Sequence, residues 1–250
     1  MNNEMRGDFG YLKIKFGKIR GQGARVTNEF LRRLLRQIVT RSTKFYDEAK
    51  SKGGPDYRDH IFTYRERQFH SVVCPAIADI TPYFIIENPL KRKPSGEKEY
   101  SGSVDYWVYF KNYSFLIELK HIYCAYSRAD NLRGSVNTRL SKALKQLHDI
   151  RIEECRSQTF GNGLRKIALE VVVFYRDCNE GEKLKTDVGS KKFSTLLRKL
   201  VKATEFDSPK PNFHALWILD EKLVAPFEYS DTFQIYPAVG FIGHVSEIVE

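Results

Sequence analysis

Two runs rich in aromatic and branched residues, Val104 to Phe110 and Tyr113 to Lys120, are joined by Lys111-Asn112 alone. So short a link between two strand-like runs predicts an antiparallel hairpin, and Asn112 tolerates the left-handed conformation such a turn needs. A two-residue loop pairs Phe110 with Tyr113 and carries Asp105 opposite Glu118. Period-2 alternation then sets Glu118 and Lys120 on one face, with Phe115, Ile117 and Leu119 on the other. The run of Phe115, Leu116, Ile117 and Leu119 reads as a strand buried on both faces, so two opposed carboxylates and an amine are expected close to the interior. Opposed like charges repel, and a divalent cation between them relieves this. The plainer reading is a half-exposed hairpin with its charges on the wet face. A one-residue slip in the turn would move Asp105 to the other face.

The flanking elements can be read in order. Asp59 to Val73 has helical spacing, with Phe62, Glu66, Phe69 and Val73 on one stripe. Glu66 lies within that apolar face, either as a boundary carboxylate paired with Arg65 or Arg67 or as a further acid near Asp105. Tyr83 to Glu87 is a short strand, and Lys91 to Gly96 a polar loop. After Lys120 a loop runs to Gly134, followed by a helix from about Val136 to Glu154 whose seam is Val136, Leu140, Ala143, Leu147 and Ile150. Lys166 to Tyr175 returns as a strand, and a strand, helix, strand order implies a right-handed crossover between parallel strands.

Asp105, twelve intervening residues and then Glu118-Leu119-Lys120 on the next strand, set in this order of elements, resembles the core of the PD-(D/E)xK nucleases, the restriction-endonuclease-like superfamily, over about residues 57–175. Val104 stands where the family's name places proline. The resemblance implies an α/β fold with a central mixed sheet flanked by helices. It also implies Asp105, Glu118 and the Leu119 carbonyl as metal ligands, and Glu66 as a holder of a second metal or of its waters. Lys120 is expected to orient the attacking water, and Gln146 to sit near the site on the crossover helix, with Ile150 where some members carry an aromatic or basic residue. Oxygen ligands suit Mg²⁺ or Mn²⁺ rather than zinc. The expected activity is metal-dependent endonucleolytic hydrolysis of DNA, leaving a 5′-phosphate and a 3′-hydroxyl. The alternative is an inactive module of the same fold that binds nucleic acid or assembles a defence or repair complex; the intact Asp, Glu, Lys set argues against it.

Charge agrees with an anionic partner. Lys and Arg number 41 against 31 Asp and Glu, a net charge of +10, which points to nucleic acid, with DNA the leading candidate. Lys91, Arg92, Lys93 and Lys142 are the expected phosphate contacts. No apolar run approaches the ~20 residues of a membrane span, and Glu4 and Asp8 break any signal-peptide core. Cys74, Cys124, Cys155 and Cys178 form no Cys-x-x-Cys pair, as reduced thiols in a cytoplasm would read. The histidines lack zinc spacing, though His121 adjoins Lys120. Gly17, Gly21 and Gly23 lack the Lys-Ser/Thr of a phosphate loop. Homodimerisation is left open.

Residues 1–55 read as a helical extension, with a short strand at Leu12, Ile14 and Phe16 and a helix capped by Thr27. The nuclease-like domain is expected over residues 56–250. It would include a basic helix from Ser190 to Ala203 and further strands at Phe213 to Leu219 and Phe233 to Ile242.

Overall fold

The computed structural model describes residues 3–54, 60–125, 133–179, 195, 210–224, 226–229 and 232–247. In chain order these form β1 (Glu4–Gly7), β2 (Gly10–Phe16), α1 (Ala24–Gly53), α2 (Glu66–Ala78), β3 (Phe84–Arg92), β4 (Tyr100–Phe110) and β5 (Tyr113–Ala125). They continue with α3 (Arg133–His148), α4 (Ile152–Ser157), β6 (Leu164–Cys178), β7 (Phe213–Leu219), β8 (Phe227–Tyr229) and β9 (Thr232–Glu247). The strands make one sheet of nine in the order β1-β2-β7-β9-β6-β5-β4-β3, with β8 on β9. Among the described pairs only β5 and β6 are parallel, because α3 carries the chain back across the sheet between them. The result is an α/β fold with a large, mostly antiparallel mixed sheet flanked by helices.

Hydrophobic periodicity explains the layers. In α1, Phe30, Leu31, Leu34, Leu35, Ile38 and Val39 recur at helical spacing and are all buried. They pack with Phe69, Val72 and Val73 of α2 on one face of the sheet. Val136, Leu140, Ala143 and Leu147 of α3 cover the other. The central strand β6 is apolar on both sides, sending Ile167, Leu169, Val171 and Val173 toward α1 and α2 and Ala168, Val172 and Phe174 toward α3. Burying each large side chain of this kind contributes about 1.5–3 kcal/mol. Gly243 of β9 has no room for a side chain, since a Cβ there would lie 2.1 Å from the Phe213 ring.

The hairpin forms in the expected register, Phe110 with Tyr113 and Tyr106 with Ile117. Lys111 and Asn112 take φ of 48° and 62°, the conformation of a two-residue turn matched to strand twist. Elsewhere boundaries differ. Residues 1–55 supply two strands as well as a helix, and β2 pairs with β7 along its whole length. Helix α1 starts at Ala24, so Thr27 is no cap; its hydroxyl donates back to the Gly23 carbonyl at 3.0 Å. Helix α2 starts at Glu66, because Tyr64 and Arg65 are extended and Phe62 sits in a separate 3-10 turn, Ile61–Thr63. Strand β3 continues through Arg92 where a loop was expected. The crossover helix stops at His148, where the backbone leaves the helix to bond the end of β3: Lys93 N–H donates to the Asp149 carbonyl at 2.7 Å and Arg151 N–H to that of Lys91 at 3.3 Å. Of the expected helix over residues 190–203, only Thr195 is among the described residues. Among the described residues no helix is long and apolar enough to cross a membrane.

Candidate active site

Strand β4 parts from β5 at Asp105. The last paired residues are Tyr106 and Ile117, which leaves the Leu119 N–H without its ladder acceptor. The Asp105 carboxylate takes that role, its Oδ2 accepting from Leu119 N at 2.6 Å, since an interior amide needs a partner. Opposite, β3 is irregular at the matching place: Ile86 pairs with Tyr106 and Asn88 with Val104, while Glu87 between them has φ 48°. Residues two apart normally share a face, yet Val104 joins the α3-side core and Tyr106 the other. The strand therefore changes face at Asp105, and a carboxylate is aimed at the edge of β5.

Glu118 and Lys120 point to the α3 side, only 2% and 6% exposed. The Lys120 ammonium donates to Glu118 Oε1 at 3.1 Å and to the Leu119 carbonyl at 2.8 Å. The Arg92 guanidinium, equally buried, lies 3.3 Å from Glu118 Oε2 and donates to the Ser103 carbonyl. Burial pushes the Glu118 carboxyl above its ordinary range and Asp105 adds to this, while Lys120 and Arg92 pull it back. The repulsion expected between the two carboxylates is thus answered by cations from the chain itself. Arg92, expected as a phosphate contact, is a counter-ion to Glu118, because strand alternation turns Asn88, Leu90 and Arg92 inward.

The other expected nucleic-acid contacts lie outside this centre. Lys91 is exposed and 3.3 Å from Glu99, and Lys93 and Lys142 are exposed. Glu66 does reach the site, from the first turn of α2: its Oε2 accepts from His121 N at 3.2 Å and its Oε1 is 3.7 Å from the Lys120 ammonium. Among the described residues it makes no ion pair with Arg65 or Arg67. Gln146 is half-buried, and its Oε1 is buried with no hydrogen-bond partner among the described residues. The His121 ring lies 3.1 Å from the Phe62 carbonyl, and burial lowers its pKa to about 4.

Glu170 was not anticipated. It is paired with Lys120 in the β5–β6 register and is fully buried, and neither carboxylate oxygen has a hydrogen-bond partner among the described residues. Burial raises its pKa to about 9, with Arg139 of α3 opposing. The signal was one acid inside the run Ile167-Ala168-Leu169-Glu170-Val171-Val172-Val173-Phe174.

Among the described residues no three His, Cys, Asp or Glu side chains gather as a metal cluster. The set expected here is different: two carboxylates and a backbone carbonyl. The Lys120 ammonium tests its fit, because it is a cation held by two of those three oxygen donors, Glu118 Oε1 and the Leu119 carbonyl. The donors are hard oxygens of the kind Mg²⁺ and Mn²⁺ prefer. Comparisons of the chain with protein-family models, curated proteins and solved structures return no match, so the site's own geometry carries the functional reading.

Proposed function

We propose that this chain is a divalent-metal-dependent nuclease of the restriction-endonuclease-like class, cleaving phosphodiester bonds in DNA. The observation that carries the reading is the convergence of Asp105, the Leu119 carbonyl, Glu118 and Lys120 where β4 parts from β5. Asp105, Glu118 and the Leu119 carbonyl would hold Mg²⁺ or Mn²⁺, with Glu66 at its edge. When bound, the ion supplies Lewis-acid polarisation of the phosphate and a more acidic water. Lys120 would orient the attacking water and stabilise charge developing on the phosphate. Arg92 favours the ionised form of Glu118 against the upward push of burial, and Glu66 fixes the backbone at His121. The net charge of +10 draws the polyanion to the surface.

A second reading has one observation in its favour. Both Glu118 oxygens are already ion-paired, as they would be in a self-neutralised cluster within a non-catalytic nucleic-acid-binding module. Cleavage assays separate the two. The purified chain is incubated with plasmid, single-stranded circle, branched junction and RNA, each with Mg²⁺ or EDTA. Asp105→Asn keeps an acceptor for Leu119 N but removes the charge, and Lys120→Met keeps the apolar stem. Each is expected to lose cleavage by about 10²–10³-fold or more, Asp105→Asn with an unchanged melting curve and Lys120→Met at a lower melting temperature, because it strips buried Glu118 of a counter-ion. Parental rates in either variant, or equal cleavage in EDTA, would remove the site from the mechanism.

A further inference from the structure

Beyond Lys120 on β5, on the α2 side of the sheet, a cavity of about 450 Å³ is walled by Tyr64, Tyr123, Tyr175 and Tyr236, with Arg65, Gln68 and Gln234 at its polar margins. That volume is in the range of small-molecule sites. Its aromatic walls are set in advance by packing. The Tyr123 hydroxyl lies 2.8 Å and 2.7 Å from the Thr63 and Tyr64 carbonyls, and its ring stands edge-on to His121, centroids 4.9 Å apart. Tyr236 is wedged edge-on to Phe62 and Phe227, and its hydroxyl donates to Gln234 Oε1 at 3.0 Å. The Gln234 amide is aligned in turn by Asp177 at 3.1 Å. Tyr64 stands at the mouth, 37% exposed. Arg65 is exposed and, among the described residues, in no ion pair.

The ligand such a space recognises is flat, aromatic and polar at its rim, and it arrives beside a negative charge that Arg65 can meet. A nucleobase on its phosphate backbone has all three properties, because every base offers a π-face for stacking and amide-matched edges. The cavity adjoins the candidate active site in sequence at two of its lining residues, Arg65 and Tyr123. Arg65 is bonded to Glu66, whose carboxylate is 3.7 Å from Lys120, and Tyr123 is three residues along β5 from Lys120, about 10 Å at strand rise. Lys120 and Tyr123 start on opposite faces of β5, so the link between site and cavity runs past Glu66, and a strand whose phosphate lies at Lys120 and that follows Glu66 and Arg65 brings a neighbouring base to the cavity. A base held in a duplex cannot enter without unpairing and unstacking, at a cost of a few kcal/mol.

We propose that this cavity is a nucleobase pocket that takes an unpaired nucleotide next to the scissile phosphate, which makes single-stranded DNA, or DNA with a single-stranded flap, the substrate. The proposal rests on the nuclease reading, and its test does not require cleavage. A short single-stranded oligonucleotide carrying 2-aminopurine at successive positions is titrated with the protein in EDTA, beside the matching duplex. The expected result is tighter binding of the single strand and a stacking change in fluorescence confined to one or two positions. Tyr64→Ala, at the exposed mouth, should keep the parental melting temperature and weaken single-strand binding about tenfold. An abasic nucleotide at the responsive position should weaken the parent equally and the variant no further.

Equal affinity for single strand and duplex, or additive losses from Tyr64→Ala and the abasic site, would overturn the pocket. Stacking that persists while Asp105→Asn cleaves like the parent would overturn the catalytic site and leave the pocket supported. Metal-dependent cleavage without the fluorescence response would do the reverse.

Discussion

Glu170→Gln should stabilise the protein by an amount that grows with pH. Glu170 lies between β5 and β9, paired with Lys120 on one side and Ile242 on the other, and α3 brings Arg139 near it. Both carboxylate oxygens are buried without a hydrogen bond, so the ionised form loses its water and gains no donor; burial accordingly raises the pKa from 4.5 to about 9. Below pH 4.5 the folded and unfolded chains are both protonated and the group costs nothing electrostatically. As pH rises from 4.5 to 9 the unfolded chain ionises while the folded one keeps its proton, so stability falls by about 1.4 kcal/mol per pH unit. Above that range the loss is complete. Between about pH 5 and pH 8 this amounts to about 4 kcal/mol, an upper bound because the interior relaxes around charge. Against a total stability of about 5–15 kcal/mol that is large. Glutamine has the same shape, is equally unpaired when buried, and does not titrate. Urea denaturation at about pH 5, 6, 7 and 8 should give similar midpoints for parent and variant at the acid end, diverging steadily toward the alkaline end at constant m-value. Parallel curves would refute the reasoning and show that Arg139 or an internal water satisfies the charge.

Two further outcomes separate the buried charges from the surface ones. Arg92→Met should lower stability by about 3–5 kcal/mol in denaturant, because it strips a buried carboxylate of one counter-ion; a variant of parental stability with weaker DNA binding would restore Arg92 as a phosphate contact. Lys93→Glu and Lys142→Glu, both at exposed positions, should leave stability unchanged. If these lysines meet phosphates, each substitution should flatten the slope of log K against log salt by about 0.9 on duplex DNA, measured in Ca²⁺ to suppress cleavage.

What could be read from the sequence follows from how local the governing interaction is. The Lys111-Asn112 turn fixes a register through adjacent residues, and it was readable to the residue. The apolar runs of β6 and β7 declare themselves by composition, and the α3 seam by its period. Boundaries set by distant partners were not readable. The crossover helix ends at His148 because the backbone at Asp149 and Arg151 bonds Lys93 and Lys91 at the far end of β3, and helical periodicity carries no trace of that. Leu12, Ile14 and Phe16 announce a strand but not their partner, so the place of β2 against β7 required the fold.

The candidate site divides along the same line. Glu118 and Lys120 share a face by alternation alone, a property of one strand. Asp105 was expected to oppose Glu118 through continued pairing, but the ladder ends one residue short, and the aspartate serves the site by capping Leu119 N–H. Its carboxylate reaches the right neighbourhood by a different geometry, one that depends on β4 changing face between Val104 and Tyr106. Arg92 could not have been assigned at all from a local reading, because Lys91-Arg92-Lys93 looks like a solvated basic patch until β3 is known to run through it. Alternation then separates three consecutive cations into two that meet water and one that meets Glu118. A single buried guanidinium changes the expected electrostatics: the two carboxylates can coexist without metal, so Glu118→Gln should cost stability by stranding Arg92 rather than gain it by relieving repulsion. The charge that a cation must displace to bind here is therefore the Lys120 ammonium, the same group that the proposed chemistry needs free to face the attacking water.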